Sequence, residues 1–154
     1  MGSQQALAQV RIQPQDFDAA ALQAELLSGD PVAGAVASFT GLVRSDPAEP
    51  VLTLELEHYP GMTESSISEI IAEAESRWSL LAAIVVHRIG VLQPGEQIVY
   101  VGVSSAHRGE AFQACEFIMD YLKTRAPFWK KETTAAGRRW LDARDSDDAA
   151  ARRW

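Results

Sequence analysis

Lysine is scarce in this 154-residue chain, and its few lysines lie close together. All three, Lys123, Lys130 and Lys131, fall within nine residues, whereas the eleven arginines are spread along the chain. A lysine amine can lose its proton in a protein and an arginine guanidinium cannot. The segment 123–131 is therefore a candidate site for amine chemistry. Chance composition and a solvated charged face are the alternatives.

Cysteine is nearly absent, because Cys115 is the single one. One cysteine excludes a disulfide within the chain and a zinc site built from several cysteines, and it fits a reducing compartment, so we expect a cytoplasmic protein. The N-terminus lacks the pattern of a signal peptide, and no apolar run approaches the roughly 20 residues that cross a bilayer. We expect residues 1–9 to form a disordered leader and residues 10–154 to form one domain.

Several familiar motifs are missing as well. The chain has no GxGxxG, no GxxxxGKS/T and no GxSxG, so a dinucleotide fold, a P-loop and a nucleophile elbow have no local support. No His, Asp and Glu residues stand at metal-ligand spacing, so we expect no metal site. The net charge of −7 argues against a nucleic-acid-binding domain, which is usually basic. The positive segment 123–131 on an acidic chain is better suited to a small anion.

Strand and helix patterns alternate along the rest of the chain. Alternating apolar residues make 51–59 the clearest strand, with Leu52, Leu54, Leu56 and His58 on one face. The other expected elements are a strand at 10–12, a helix capped by Asp16 or Asp18 and ending at Leu27, an apolar stretch 33–43 ending at Arg44, a helix from Thr63 to about Trp78, a hairpin of strands 83–91 and 97–104, a helix from Arg108, and a strand at 128–134.

The helix that begins near Arg108 has a wide apolar stripe. Cys115 lies at its centre, and Lys123 lies at its border, near the point where Pro127 ends the helix. Partial burial and neighbouring cations would make Lys123 a candidate nucleophile or general acid or base, and a helix-end lysine that reaches into solvent is the alternative. The stripe comprises Ala111, Phe112, Cys115, Ile118, Met119 and Leu122. A second stripe of Ala114, Phe117 and Tyr121 is expected to pack on another element or on another subunit.

Strand alternation separates the other two lysines. Lys130 and Lys131 must point to opposite faces of the strand 128–134, so only one can share a pocket with Lys123, and Lys130 is the one we expect. His107 and Arg108 begin a helix, where free backbone amides attract anions, although a cap or a solvent-facing role is also open for His107. His58 and His87 lie inside strand patterns, which is typical of core or edge residues.

Five blocks of sequence together resemble the catalytic, large subunit family of molybdopterin synthase. The resemblance covers about residues 10–154, in order and with short gaps. The blocks are residues 39–44 (FTGLVR), 56–63 (LEHYPGMT), 87–90 (HRIG), 101–108 (VGVSSAHR) and 119–132 (MDYLKTRAPFWKKE).

The resemblance implies an α+β single domain of the α/β-hammerhead type, with antiparallel strands and two main amphipathic helices. It implies a homodimer within a heterotetramer, in which a small ubiquitin-like sulfur-carrier subunit inserts its C-terminal Gly-Gly thiocarboxylate into the pocket. The reaction would transfer two sulfurs to cyclic pyranopterin monophosphate and form molybdopterin, as a step of molybdenum cofactor biosynthesis. It would need no metal or organic cofactor.

Matched residue by residue, the resemblance makes Lys123 and Lys130 the catalytic residues. It places Arg44, His107, Arg108 and Lys131 around the anionic pterin. Leu42, Val43 and Glu132 are further candidates for substrate binding, with any contact from Leu42 and Val43 made through the backbone and with orientation of its neighbours as the alternative role of Glu132. Two alternatives remain open. One is a non-catalytic binding module for a phosphorylated metabolite or an acidic peptide tail, and the other is a single-strand nucleic-acid binder that uses Phe128 and Trp129, which the acidic chain disfavours.

Overall fold

The structure is a computed structural model that describes residues 7–28, 31–141 and 145–154. Its described strands form two four-stranded sheets, and helices pack on both faces of the first. The elements in chain order are β1 (Leu7–Gln13), α1 (Ala19–Leu27), β2 (Ala35–Leu42), β3 (Val51–His58), α2 (Met62–Arg77), β4 (Leu80–Arg88), β5 (Gly90–Leu92), β6 (Gln97–Ser105), α3 (Arg108–Thr124), β7 (Phe128–Thr134), β8 (Gly137–Leu141) and α4 (Asp145–Arg152).

The first sheet has the strand order β1-β4-β6-β2, with β1 parallel to β4 and the other neighbours antiparallel. Its strand β4 is covered on both faces, which is why it reads as a continuous apolar run. Ile84 and Val86 pack toward α1, whereas Ala83 and Val85 belong to the core beneath α2 and α3. Because side chains alternate along a strand, His87 at the end of β4 falls on the α3 side.

The second sheet is antiparallel, with the order β5-β3-β7-β8. The pairing of β4 with β6 confirms the predicted hairpin. The strand expected over 83–91 is interrupted, however, because Gly90 adopts a φ of 92° and the following residues, β5, pair with β3 in the other sheet. Only glycine adopts this backbone conformation readily, so Gly90 is the point where the chain passes from one sheet to the other.

Helix α3 is buried on a wider face than its first stripe predicts. Phe117, from the second stripe, is fully buried and packs edge-on against Trp78 and Trp154, so this stripe packs on other elements of the same chain. Phe112 was expected in the buried stripe and is instead 66% exposed, because burial of Ala114 and Phe117 shifts the covered face of α3 toward the second stripe and away from Phe112. Cys115 is buried as expected, and its thiol points at the carbonyl of Val101.

Three local expectations need correction. Gly61, and not Thr63, is the residue before α2, where its N–H donates to the Glu64 carboxylate. Leu52 is 56% exposed, because a register irregularity between Val51 and Thr53 turns it away from the buried face. Strand β1 begins at Leu7, within the range 1–9 expected to form a leader, whereas residues 1–6 lie outside the described part of the chain.

Candidate active site

A cavity of about 550 Å³ lies where the C-terminal ends of α3 and β2 approach the second sheet. Its volume is within the range of ligand pockets, roughly 300 to 1,000 Å³. It is lined by Phe39, Thr40, Gly41, Leu42, Val43, Arg44, Val51, Leu54, His87, Ile98, Val99, Met119, Leu122, Lys123, Ala126, Phe128, Lys130, Glu132, Arg139 and Leu141.

Lys123 and Lys130 both line this cavity, as the sequence predicted. Lys123 is in the last turn of α3, beside the buried Leu122, and its side chain is exposed rather than partly buried. Lys130 is half-buried on β7, two residues after Phe128 and on the same face of the strand. The two amines therefore approach the same space from a helix end and from a strand.

Lys131 faces away from the cavity. Its ammonium group lies 4.4 Å from the centre of the Trp140 ring, on the opposite face of β7 from Lys130. A cation over an aromatic face is held by the ring quadrupole. The structure thus brings Lys130, and not Lys131, together with Lys123. Strand alternation predicted that only one of the two could share the cavity, and Lys130 was the one expected.

The remaining polar lining is rich in cations. Arg44 is exposed at the end of β2, and Arg139 projects from β8. Among the described residues of the lining, Glu132 is the one acid, and it accepts a hydrogen bond of 2.9 Å from Arg139. Arg139 also lies 3.5 Å from Glu49. In this described part of the lining, the two lysines and two arginines are four cationic side chains, offset by one carboxylate. Such a site attracts a small anion.

Leu42 and Val43 line the cavity beside Arg44, but their backbone is less available than expected. The N–H of Val43 donates to Glu96 and its carbonyl accepts from Gly95, at 2.9 and 2.8 Å. Both backbone groups are therefore already paired within the chain. The Leu42 side chain is 55% exposed and offers an apolar contact at the mouth instead.

His107 and Arg108 do not line the cavity. They lie exposed at the start of α3, and Lys123 lies near the end of that helix. At 1.5 Å per residue, this separation is about 22 Å along the helix axis. Within one chain, the predicted anion-binding residues are thus divided between two places.

His87 is a lining residue that sequence reasoning assigned to the core. It is 7% exposed, and its imidazole stacks on Phe128 with the ring centroids 3.8 Å apart and an angle of 18° between the ring planes. Its Nδ1 lies 2.8 Å from the Arg88 carbonyl. Burial, with smaller contributions from the charges of Lys130 and Lys123, lowers the pKa of His87 to about 3, and the Arg88 hydrogen bond opposes this shift.

Two of these cavity residues were not among the predicted site residues. Arg139 lies on β8, a strand that no sequence pattern indicated. His87 begins the block HRIG, but it stands in an apolar run and was assigned to the core or to the edge of a strand, although the alternation of β4 would have placed it on the α3 side. Among the described residues, no group of three or more His, Cys, Asp or Glu is placed to hold a metal ion. No described helix has the length and apolar character needed to cross a membrane.

Comparisons with known proteins identify the family to which this chain is similar. The sequence model of the family described as MoaE protein matches residues 12–125. The molybdopterin synthase catalytic subunit of Ralstonia nicotianae is 57% identical over 146 residues, which are 94% of this chain and 83% of that protein.

Two solved structures share the fold. The molybdopterin biosynthesis MoaE protein from Burkholderia ambifaria aligns with a TM-score of 0.83 and 55% identity, over 96% of this chain and 98% of that chain. A protein-protein complex of subunits 1 and 2 of molybdopterin-converting factor from Helicobacter pylori contains a chain that aligns with a TM-score of 0.71 and 19% identity, over 90% and 92%. At that identity, the second likeness shows the fold alone.

Proposed function

The chain belongs to the MoaE family, and on this premise we propose that the cavity between α3 and β7 is where sulfur is transferred to the pterin substrate. The activity is that of a molybdopterin synthase catalytic subunit, an enzyme of molybdenum cofactor biosynthesis that works with a small subunit. The proposed location rests on one observation, which is that Lys123 and Lys130 line the same cationic cavity. We place the enzyme in the cytoplasm, where its single, buried cysteine stays reduced.

The substrate in this proposal is cyclic pyranopterin monophosphate. Its cyclic phosphate is an anion, and Arg44 and Arg139 are guanidinium donors on the cavity lining, of which Arg139 is already partly engaged by Glu132. Guanidinium groups bind phosphate oxygens through charge-assisted hydrogen bonds. We assign Arg44 to the phosphate and Glu132 to the orientation of Arg139.

The two lysines divide the chemistry. The thiocarboxylate at the end of the carrier's Gly-Gly tail carries negative charge, and sulfur attack on the pterin side chain develops charge on oxygen. Lys123 holds the thiocarboxylate and stabilises that charge as a fixed cation. Lys130, half-buried beside Phe128, exchanges protons as the cyclic phosphate opens.

The partner is the small ubiquitin-like carrier subunit, one molecule for each of the two sulfurs. An extended Gly-Gly tail presents backbone and almost no side chain, so it can enter a narrow opening. Phe39 and Leu42 are exposed on the cavity lining and offer apolar contact to such a tail. We infer that they line its entry.

His107 and Arg108 enter the proposal through a second copy of the chain. They cannot bind the same pterin as Lys123 of their own chain, because α3 holds them at its opposite end. A twofold dimer brings the same surface of two copies together, so the start of α3 from one copy can meet the cavity of the other. We propose that the homodimer within the heterotetramer completes the anion site in this way.

The test is a reconstitution with thiocarboxylated carrier and cyclic pterin, in which the dithiolene product is followed by mass. We expect Lys123→Ala and Lys130→Ala to lower the turnover rate by at least about a hundredfold, because each removes a charged or proton-transferring group from the transition state. Lys131→Ala is the matched comparison and should lower the rate far less than Lys130→Ala. Near-wild-type turnover of either cavity variant would remove that lysine from the proposal, and substrate binding without any product would favour a binding module.

A further inference from the structure

The position of His87 is not explained by packing in the core alone. It is one of the residues that line the cavity with Lys123 and Lys130, yet it is almost fully buried. Its position follows from β4, where alternation aims Ala83 and Val85 at the helix core and His87, the next residue on that face, at the open end of that core. The ring is thus at the base of the cavity rather than within the packed interior.

Two contacts fix the orientation of this ring. Phe128 stacks on one face with nearly parallel planes, and the Arg88 carbonyl lies 2.8 Å from Nδ1. A carbonyl oxygen only accepts hydrogen bonds, so Nδ1 must carry the proton. In a neutral imidazole, Nε2 then carries the lone pair and acts as an acceptor.

The charge around the ring favours the neutral form. Lys130, Lys123 and His58 all disfavour protonation of His87, and burial disfavours it more strongly. An uncharged acceptor has a particular advantage beside catalytic lysines. A carboxylate in the same place would orient an ammonium group but would also neutralise the positive charge that anionic substrates need, whereas an imidazole lone pair orients it and leaves the charge in place.

We propose that His87 is a positioning residue for the sulfur transfer, whose Nε2 accepts a hydrogen bond from a lysine ammonium of the cavity and fixes it toward the substrate without neutralising it. The proposal rests on the proposed role of Lys123 and Lys130. It adds a residue of β4, a strand on which the family resemblance assigns no catalytic or substrate-binding residue. Phe128 has a part in it, since it holds the plane of the ring.

The experiment compares His87→Phe with His87→Gln at saturating thiocarboxylated carrier while the pterin concentration is varied. Phenylalanine keeps a ring against Phe128 and removes the acceptor, whereas the glutamine amide oxygen restores a neutral acceptor. We expect His87→Phe to lower kcat by roughly tenfold or more, with a smaller change in KM for the pterin, and His87→Gln to recover most of that loss. Equal losses in both variants, or near-wild-type kcat in His87→Phe, would overturn the proposal.

Two controls separate this outcome from other failures. Tyr100→Phe is a conservative change of a buried residue on the opposite, α1 side of the sheet, and it should leave kcat unchanged. Lys123→Ala and Lys130→Ala are measured in the same series. If both retain turnover, the lysine assignment fails, and if they lose it while His87→Phe does not, the His87 proposal alone fails.

A measurement on the unmodified protein covers the case in which His87→Phe does not fold. The chain has three histidines, so nitrogen NMR of ¹⁵N-histidine-labelled protein resolves each ring. We expect one ring, assigned to His87 by its loss in His87→Gln, to be a neutral Nδ1–H tautomer at pH 7. An Nε2–H tautomer or an imidazolium at that pH would overturn the proposal.

Discussion

The hydroxyl of Thr63 donates a hydrogen bond of 2.9 Å to the carbonyl of Pro127 and accepts one of 3.0 Å from the N–H of Tyr59. This buried side chain joins the start of α2 to the residue immediately before β7. Strand β7 carries Lys130 into the cavity. The hydrogen bond from Thr63, at the start of α2, therefore also fixes the position at which β7 begins.

We expect Thr63→Val to lower the free energy of unfolding by about 1 to 3 kcal/mol, since valine fills the space but leaves a buried N–H and carbonyl unpaired. Turnover should fall as well, because the start of β7 is less fixed. Urea unfolding and steady-state assays measure the two effects. Ser65→Ala, an exposed hydroxyl on the same helical turn, is the control. A neutral Thr63→Val would show that the contact does not stabilise the fold.

Complementation tests whether two copies share one site. Lys123→Ala and Arg108→Ala are each expected to be nearly inactive alone. In mixed dimers, one of the two sites receives intact Lys123 from one copy and intact Arg108 from the other, so random mixing should restore about a quarter of wild-type activity. If each chain builds its own site, every site stays defective and no activity returns.

His87 predicts a pH dependence of stability. Its pKa is near 6.5 in the unfolded chain and about 3 in the folded one, so the unfolded state binds the extra proton between these values. The stabilisation is therefore complete above pH 6.5 and is lost as pH falls toward 3, by up to about 2 kcal/mol between pH 6.5 and 5. Urea unfolding at several pH values should show a shallower decline for His87→Gln than for wild type. Tyr100→Phe, which keeps the histidine, should decline like wild type, and parallel curves for all three would contradict the prediction.

Cys115 should be inert in the folded enzyme. Burial, with the nearby charge of Glu116, raises the pKa of its thiol to about 12, so almost no thiolate is present at neutral pH. A maleimide at pH 7.5 should label the native protein at least about a hundredfold more slowly than the urea-unfolded protein. Equal rates would mean that the centre of the α3 stripe opens to solvent.

Much of this fold was predictable where one periodicity dominated. The strand Phe128–Thr134 was expected with these bounds, and its alternation correctly separated Lys130 from Lys131. The predicted buried face for Leu52 was wrong because the strand irregularity depends on pairing with β7, and no local sequence pattern contains that information. The predicted burial of Phe112 was wrong because a helical wheel gives the direction of a side chain but not the extent of the surface that covers it.

The site was predictable only in part for a similar reason. Lys123 and Lys130 stood out by composition, whereas His87 lies at the cavity because it follows Ala83 and Val85 on one face of β4 and stacks on Phe128 of β7. Arg139 comes from β8, whose short sequence has no strand signal. The separation of His107 from Lys123 follows from the length of α3, and the sequence alone could have indicated that one copy cannot hold both residues.

The alternation along β7 has a consequence for changes in chain length. One residue inserted between Pro127 and Lys130 would turn every later side chain of the strand to the other face, so Lys130 and Lys131 would exchange faces while composition and net charge changed little. Such an insertion is expected to be more harmful than many side-chain substitutions at the same positions. Natural variation in this subunit should therefore conserve the spacing from Pro127 to Lys130 more strictly than the identity of the residues between them.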